Sequence, residues 1–326
     1  MSNNRGLSYV IPLNRPSGRD VDDGGLEPGT RASIARRHLI QKVAFGLLWV
    51  AGFTAVGVVL AIILYVVLRG GRVVDLEFLT TPPQGGLSDV GGISTTIVST
   101  VYLVFWVIAI AAPLGVMAAI FLVEYAEEMR GGVGMVPFLV QIIRFAVELL
   151  GGVPSIIFGL FGYALFVSAQ AMGWGFSLLS AAVTGACLVL PVIIRASEEA
   201  IRAVPDSYRR GSLALGATKW QTVCKVVLPA AAPGIVTGIV LSVGRVVSET
   251  AVFFVTFGGT TRAPESLFDL GSPGRSMALH VYYLAMETRA FDKAMGTGAI
   301  LIATIVLINL TINIISRRLT VKLKGN

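Results

Sequence analysis

Charged residues are scarce in this chain: Asp, Glu, Lys and Arg together make up 14% of its 326 residues, against roughly 25% in average soluble proteins. Cysteine and histidine are nearly absent, with two residues of each. Because these four residues show no metal-ligand spacing, and neither cysteine is placed for pairing, we expect no metal site and no disulfide. The composition excludes a secreted disulfide scaffold, a disordered chain and a freestanding soluble enzyme.

The chain also lacks the sequence chemistry of an ATPase or a hydrolase. No glycine is followed by lysine anywhere, so a phosphate-binding P-loop is excluded. No serine, histidine and acidic residue form an ordered set of nucleophile, base and orienting group. If the protein uses ATP, another chain must hydrolyse it.

The sequence contains five long segments without charged residues. Each of them reaches the roughly 18 apolar residues that a membrane-spanning helix requires. They cover residues 43–68, 90–123, 149–194, 226–244 and 294–316. The longest run divides at Gly173-Trp174-Gly175, and a break at Gly151-Gly152-Val153-Pro154 separates an interfacial helix over 137–150 from a third span that begins at Ser155. The sequence therefore predicts an all-α, polytopic membrane protein with six transmembrane helices within residues 39–316.

The distribution of basic residues predicts the orientation. The first 38 residues form a polar, arginine-containing flexible tail, and residues 317–326 form a second basic tail. Of the 26 lysines and arginines, 18 fall on the side of the two tails and five on the other side. This asymmetry predicts cytoplasmic termini. It also explains the net charge of +7 without nucleic-acid binding, for which there is no recognition motif.

The cytoplasmic segment 198–229 has the local chemistry of two short helices joined by a corner. Pro205-Asp206 can begin the first helix, Gly216 can end it in a left-handed conformation, and Thr218 with Gln221 forms a capping box for the second. Pro229 is expected to close the second helix. The segment is either an ordinary loop or a docking surface for a cytoplasmic partner.

Two pairs of opposite charges interrupt the apolar runs. Arg245 lies about 22 Å into its predicted span and is followed four residues later by Glu249, on the same helical face. Arg195 and Glu198 repeat the arrangement at a spacing of three. Arginine inside a membrane is costly and requires a partner or a function. The pairs either lock helices together or bind an anion such as phosphate, whose oxygens match a guanidinium group.

The same segments resemble a known family. Gly216, nine residues and then Val226-x-Leu228-Pro229 is similar to the second half of the EAA motif of type I ABC importer permeases, although Arg210-Gly211-Ser212 replaces Glu-Ala-Ala. Further short sequence segments within residues 90–316 resemble the phosphate permease (PstA) family. They are VPSIIFGLFG at 153–162, ALGAT at 214–218, VVLPAA at 226–231, GIVTG at 234–238 and SETA at 248–251.

The resemblance implies a MetI-like permease bundle in a prokaryotic plasma membrane that imports phosphate by alternating access. It implies a homologous second permease, an ATPase dimer that binds ATP and Mg²⁺, and an external phosphate-binding protein as partners. It places Arg195, Glu198 and Arg245 on the substrate pathway, and we add Glu249 as the expected partner of Arg245. The contact with the ATPase would involve Leu215, Gly216, Ala217, Thr218, Val226, Leu228 and Pro229. Alternatives are a permease for sulfate or molybdate, a membrane enzyme acting on a phosphorylated lipid, and a sensory role beside a signalling kinase.

Overall fold

The computed structural model describes residues 28–84, 90–126 and 135–324, and this part of the chain is predominantly helical, as predicted. The chain divides after Ile62 into two units, so that the first helix begins in one unit and ends in the other. The helices are α1 Pro28–Gly70, α2 Leu76–Thr80, α3 Ser94–Ile120, α4 Met135–Gly152, α5 Ser155–Gly162, α6 Leu178–Arg202, α7 Asp206–Ala214, α8 Lys219–Thr222, α9 Leu228–Ser248, α10 Ala251–Thr256, α11 Met277–Tyr282 and α12 Phe291–Lys324.

The helical boundaries at the two ends of the chain differ from the sequence-based ones. Helix α1 begins at Pro28, so residues 28–38 are helical and are not part of a flexible tail. Residues 1–27 of the predicted tail lie outside the described residues. Helix α12 continues to Lys324, past the predicted boundary at residue 316.

Five helical stretches of the described chain are long and apolar enough to cross a membrane. A sixth exists if α4 and the helix that begins at Ser155 count together, and these two are bent by 107° at the predicted break. Helix α5 continues as a π-helical turn to Val167, after which Ser168 is extended. Ser155–Val167 is therefore only about 20 Å long, short of the roughly 30 Å hydrocarbon core. The prediction of a complete third span from Ser155 is wrong in length, because the chain leaves the helix at Ser168.

Helices α3, α6 and α9 pack together and form the centre of the second unit. Leu103, Ile193 and Phe253 are fully buried in its main hydrophobic cluster. Small residues permit the close approach: a methyl group on Gly115 would lie 2.7 Å from Cγ2 of Ile193. Packing through small residues is typical of membrane bundles, where van der Waals contact replaces the hydrophobic driving force.

A loop between α10 and α11 covers the start of α6. The backbone N–H groups of Leu178 and Leu179 donate to the carbonyls of Ser272 and Leu270, each at 2.9 Å. Trp106 of α3 donates its indole N–H to the Leu267 carbonyl at 2.7 Å. The loop thus satisfies N–H groups that have no partner within the first turn of a helix, and it fixes the end of α6 opposite the segment 198–229.

Candidate functional site

Helix α9 ends at Ser248, immediately before Glu249. The Ser248 hydroxyl donates to the carbonyls of Gly244 and Arg245, at 2.9 and 3.2 Å, and such side-chain bonds compete with the helical backbone. Glu249 is extended, with φ −75° and ψ 130°. The prediction that Glu249 shares a helical face with Arg245 is therefore wrong, and the described residues contain no ion pair between them.

The break after α9 brings the SETA and PSIIFG segments together. Helix α10 begins at Ala251 and packs against α5. The contact is backbone to backbone: a methyl group on Gly159 would lie 3.0 Å from the α carbon of Val252 and 3.3 Å from the Ala251 carbonyl oxygen. The SETA segment and the PSIIFG segment therefore meet, and only glycine at position 159 allows this approach.

Glu198 lies among basic groups, but Arg195 is not one of its partners. Its carboxylate is 3.6 Å from Arg144 of α4 and 3.6 Å from Arg202 one turn later. Arg144 also donates to the Leu122 carbonyl at 2.8 Å. Arg195 is exposed, and a methyl group on Gly151 would lie 3.7 Å from its guanidinium. The expected pairing of Arg195 with Glu198 is thus replaced, within the described chain, by one ion pair that joins α4 to α6 and a second one within α6.

An open groove runs between α6 and α9. Its volume is about 340 Å³, and its lining includes Glu199 and Leu241. Gly234 packs against Ala200, and Gly238 packs against Ala196, so the two helices are antiparallel. Glu199 and Leu241 are exposed residues of this lining. Arg195 lies one turn before Glu199 and Arg245 one turn after Leu241, on the same helical faces but beyond the lining residues, and Ser248 is exposed at the end of α9.

Arg195 and Arg245 occupy different depths on this face. Gly238 marks the level of Ala196, the neighbour of Arg195, and Arg245 follows Gly238 by seven residues, or about 10 Å along α9. Arg245 lies in the last turn of α9, where the helix dipole favours a cation. Neither arginine forms an ion pair with a described residue. The chain alone leaves both guanidinium groups exposed.

The segment 198–229 forms the two short helices that the sequence predicts. Helix α7 begins after Pro205, Gly216 has φ +84°, and the reciprocal Thr218–Gln221 capping box begins α8. The hydroxyls of Ser212 and Thr222 lie 2.9 Å apart and tie the two helices together. We call residues 206–222 the knob.

Exposed apolar side chains cover the knob. They are Tyr208, Leu213, Leu215 and Trp220, and Leu215 is 91% exposed. The residues predicted to contact the ATPase fall into two groups. Those at the corner are exposed (Leu215, Gly216 and Thr218) or half-buried (Ala217). Those at the base are half-buried: Val226, Leu228 and Pro229. An apolar surface of this kind on a polar segment is typical of a protein contact.

Pro229 does not close the second helix, in contrast to the prediction. Residues 223–227 form a π-helical turn in which Leu228 N–H bonds to the Val223 carbonyl, and α9 continues directly with Pro229 in its first turn. Within a continuous helix proline removes one N–H donor and crowds the preceding turn, and the π-helical turn directly before Pro229 is the local departure from α-helical geometry that accompanies it. The knob is consequently joined to α9 without an intervening loop.

A buried arginine organises the loop before α11. Arg275 is 4% exposed, donates Nε–H to the Gly259 carbonyl at 2.7 Å and lies over the Tyr283 ring. His280 is 3.4 Å from the same guanidinium. Burial, followed by the positive charge of Arg275, lowers the pKa of His280 to about 4, so that this side chain is neutral at neutral pH.

Comparison with known proteins identifies the bundle. Residues 111–325 match the family described as binding-protein-dependent transport system inner membrane component. The chain belongs to this family. The match includes α6, the knob, the groove and α12, so every candidate site residue named above lies inside the family domain.

Similar proteins are named as transport permeases. The chain is 29% identical to the probable ABC transporter permease protein YqgI of Bacillus subtilis, over 89% of this chain and 99% of that protein. It is 30% identical to the phosphate transport system permease protein PstA of Yersinia pestis, over 87% and 88% of the two chains. The relatives are named as permeases, and the chain is accordingly a transporter subunit and not an enzyme acting on a lipid.

A solved structure supports the helical fold of this chain. The chain resembles a bacterial alginate ABC transporter, crystallised in complex with an alginate pentasaccharide-bound periplasmic protein. The TM-score is 0.56, the identity is 14%, and the match covers 89% of this chain and 96% of the other. At this identity the likeness concerns the helical architecture alone.

Sequence reasoning missed one charged residue of the groove and two charged contacts. Glu199 lines the groove, but the adjacent glutamates of Ser-Glu-Glu give no indication of which one faces α9. Arg144, in the helix predicted over 137–150, contacts Glu198 of α6. The other missed contact joins Arg209 to Glu124, 85 residues apart, a separation that no local pattern reveals.

Proposed function

We propose that this chain is the membrane permease subunit of an ATP-driven phosphate importer and forms one wall of the anion pathway by alternating access. The names of the PstA relatives support phosphate as the substrate. The observation that carries the proposal is the exposed face on which Arg195 and Arg245 stand, about 10 Å apart along the helices.

Exposed arginines inside the membrane must be covered. An arginine at the centre of a membrane helix costs about 2.5–3.5 kcal/mol on insertion scales, and more in simulations. Within the chain, α6 and α9 leave Arg195 and Arg245 without an ion pair among the described residues. A second permease with a complementary face would enclose both guanidinium groups around a path that contains water. The groove between α6 and α9 belongs to that path.

Phosphate fits this face chemically. It carries about two negative charges near neutral pH, and the guanidinium fork binds two of its oxygens at once. Two arginines at successive depths can pass the anion from one to the other without either binding it too firmly. Glu199 beside Arg195 opposes tight retention, because a like charge weakens the attraction for an anion.

The knob is the contact for the ATPase in this proposal. Its exposed apolar residues, centred on Leu215, point away from the hydrophobic cluster at its base. ATP and Mg²⁺ are bound by the ATPase dimer, and an external phosphate-binding protein delivers the anion to the opposite side. The permease lies in a prokaryotic plasma membrane with both termini in the cytoplasm.

Reconstitution tests the function. The chain, a second permease and the ATPase dimer are placed in vesicles with the binding protein, and uptake of labelled phosphate is followed with ATP on the ATPase side. We expect ATP-dependent uptake that excess unlabelled phosphate suppresses. Suppression by sulfate or molybdate at the same concentration, with uptake of those labelled anions, would replace phosphate by another oxyanion. No ATP-dependent uptake of any of the three would overturn the proposal.

A further inference from the structure

A half-buried arginine of the knob contacts the ends of two spans. The Arg209 side chain, on α7, is 17% exposed, and its partner Glu124, in the π-helical turn that follows α3, is 8% exposed. Nε and Nη2 of Arg209 lie 2.9 and 2.8 Å from the same carboxylate oxygen, Oε1 of Glu124. The remaining donors bind the end of α6: Nη1 donates to the Val204 carbonyl at 2.6 Å and Nη2 to the Ile201 carbonyl at 2.8 Å.

Arg209 suits the end of α6 and the Glu124 carboxylate electrostatically. The Ile201 and Val204 carbonyls lie at the C-terminal end of α6, where a cation is favoured by the helix dipole, although the Ile201 carbonyl also accepts from the Val204 N–H at 3.3 Å. Glu124 would otherwise be a buried carboxylate beside the hydrophobic cluster that includes Val123 and Ile201. Arg209 therefore fixes α7 to α3 and to α6 at one point.

The position of this contact determines what it can transmit. Arg195 lies six residues before Ile201 on the same continuous helix, about 9 Å along its axis. The backbone between α6 and α7 is a short connection through Pro205. The knob also continues through α8 into α9 without a loop. Arg209 adds a side-chain contact through which a force on α7 can reach α6 directly.

We propose that Arg209, through Glu124 and the end of α6, is the positioning residue that transmits ATPase movement from the knob to the anion pathway. The inference rests on the proposed function. Arginine suits this task because its planar group holds several acceptors in fixed directions, whereas lysine offers a single ammonium centre. Asp206, the fourth acceptor, is 3.2 Å away and 79% exposed, and it contributes little.

The test compares Arg209→Lys, Glu124→Gln and the control Asp206→Asn in the reconstituted importer. Phosphate imported per ATP hydrolysed is measured, together with copurification of the ATPase and the thermal unfolding midpoint. For Arg209→Lys we expect an assembled complex that hydrolyses ATP but imports about tenfold less phosphate per ATP, within the usual range of coupling between sites. Glu124→Gln should shift the ratio in the same direction, and Asp206→Asn should leave it at the wild-type value.

Two results would overturn the inference. One is a wild-type ratio of phosphate to ATP in assembled Arg209→Lys and in Arg209→Ala. The other is loss of the folded permease in Glu124→Gln as well as in Arg209→Ala, which would assign the contact to folding alone. If the wild-type complex imports no phosphate, the proposed function fails instead. Stimulation of ATP hydrolysis by the loaded binding protein then reports whether Arg209 couples the two ends.

Discussion

The α carbon of Gly234 lies so close to Ala200 that a methyl group on Gly234 would come 2.6 Å from the Ala200 β carbon. The contact holds α9 against α6 at the floor of the groove. Gly234→Ala should therefore lower the thermal unfolding midpoint of the isolated permease, because overpacking costs about 1–3 kcal/mol and outweighs the gain of roughly 1 kcal/mol in helix propensity. The control is Gly244→Ala, which meets nothing within 4 Å and should not destabilise. Equal stabilisation by both changes would contradict the packing.

The exposed arginines give a prediction about uptake. Arg245→Gln and Arg195→Gln should assemble normally but import about 10–100-fold less phosphate, the loss expected for one charge-assisted contact of about 1.5–3 kcal/mol. Since Glu249 lies beyond the end of α9, adding Glu249→Gln should not restore uptake to Arg245→Gln. Labelled-phosphate uptake, normalised to copurified ATPase, measures both. Wild-type uptake by the double variant would assign Arg245 to a helix lock.

The corner of the knob gives a prediction about assembly. Gly216 has φ +84°, a conformation that costs most residues roughly 1–2 kcal/mol and β-branched residues the most. Gly216→Val should reduce copurification of the ATPase and phosphate uptake in parallel. Gly216→Asn is the matched control, because asparagine tolerates this conformation, and it should retain most of both. Undiminished copurification with the valine variant would show that the ATPase binds elsewhere.

The buried histidine gives a pH dependence. The pKa of His280 is lowered from 6.5 to about 4 in the folded protein, so below pH 6.5 the unfolded chain binds a proton that the folded chain refuses. Stability is therefore unaffected above about pH 6.5 and falls as the pH drops toward 4, by up to about 3 kcal/mol. Unfolding midpoints between pH 7 and 4 measure the loss. His280→Gln should remove most of this slope, and an unchanged slope would place the titrating group elsewhere.

Orientation is tested with single cysteines. After Cys187→Ala and Cys224→Ser, a cysteine is introduced at Thr218 or at Pro273, both exposed positions. An impermeant thiol reagent added outside intact cells should label position 273 and spare position 218. The reverse pattern would invert the topology and remove the knob from the ATPase side.

The knob could be predicted from sequence, whereas the partners of the charges could not. Gly216, Thr218 and Gln221 act on backbone groups within a few residues, so local chemistry determines the corner. The interaction of Glu198 with Arg144 depends on the direction of α4, which the 107° bend between α4 and α5 separates from that of the next helix. Periodicity indicates that a residue is on a helical face, but not which helix covers that face.

The end of α9 shows a second limit of sequence reading. The prediction that Arg245 and Glu249 share a helical face assumes that the helix continues through Glu249. The helix ends at Ser248, whose hydroxyl donates to the carbonyls of Gly244 and Arg245. The chain that follows packs closely against Gly159 of α5. A helix end of this kind results from tertiary packing, which outweighs weak local preferences.

The exposed face of α6 and α9 also affects the lifetime of copies that have not assembled with a second permease. A newly inserted copy without its partner presents Arg195, Glu199 and Arg245 to hydrocarbon, at a cost of several kcal/mol. We expect unassembled copies to be degraded faster than assembled ones. We expect the half-life of the chain in a pulse-chase experiment to lengthen when the second permease is co-expressed, so that the scarcer subunit sets the number of transporters.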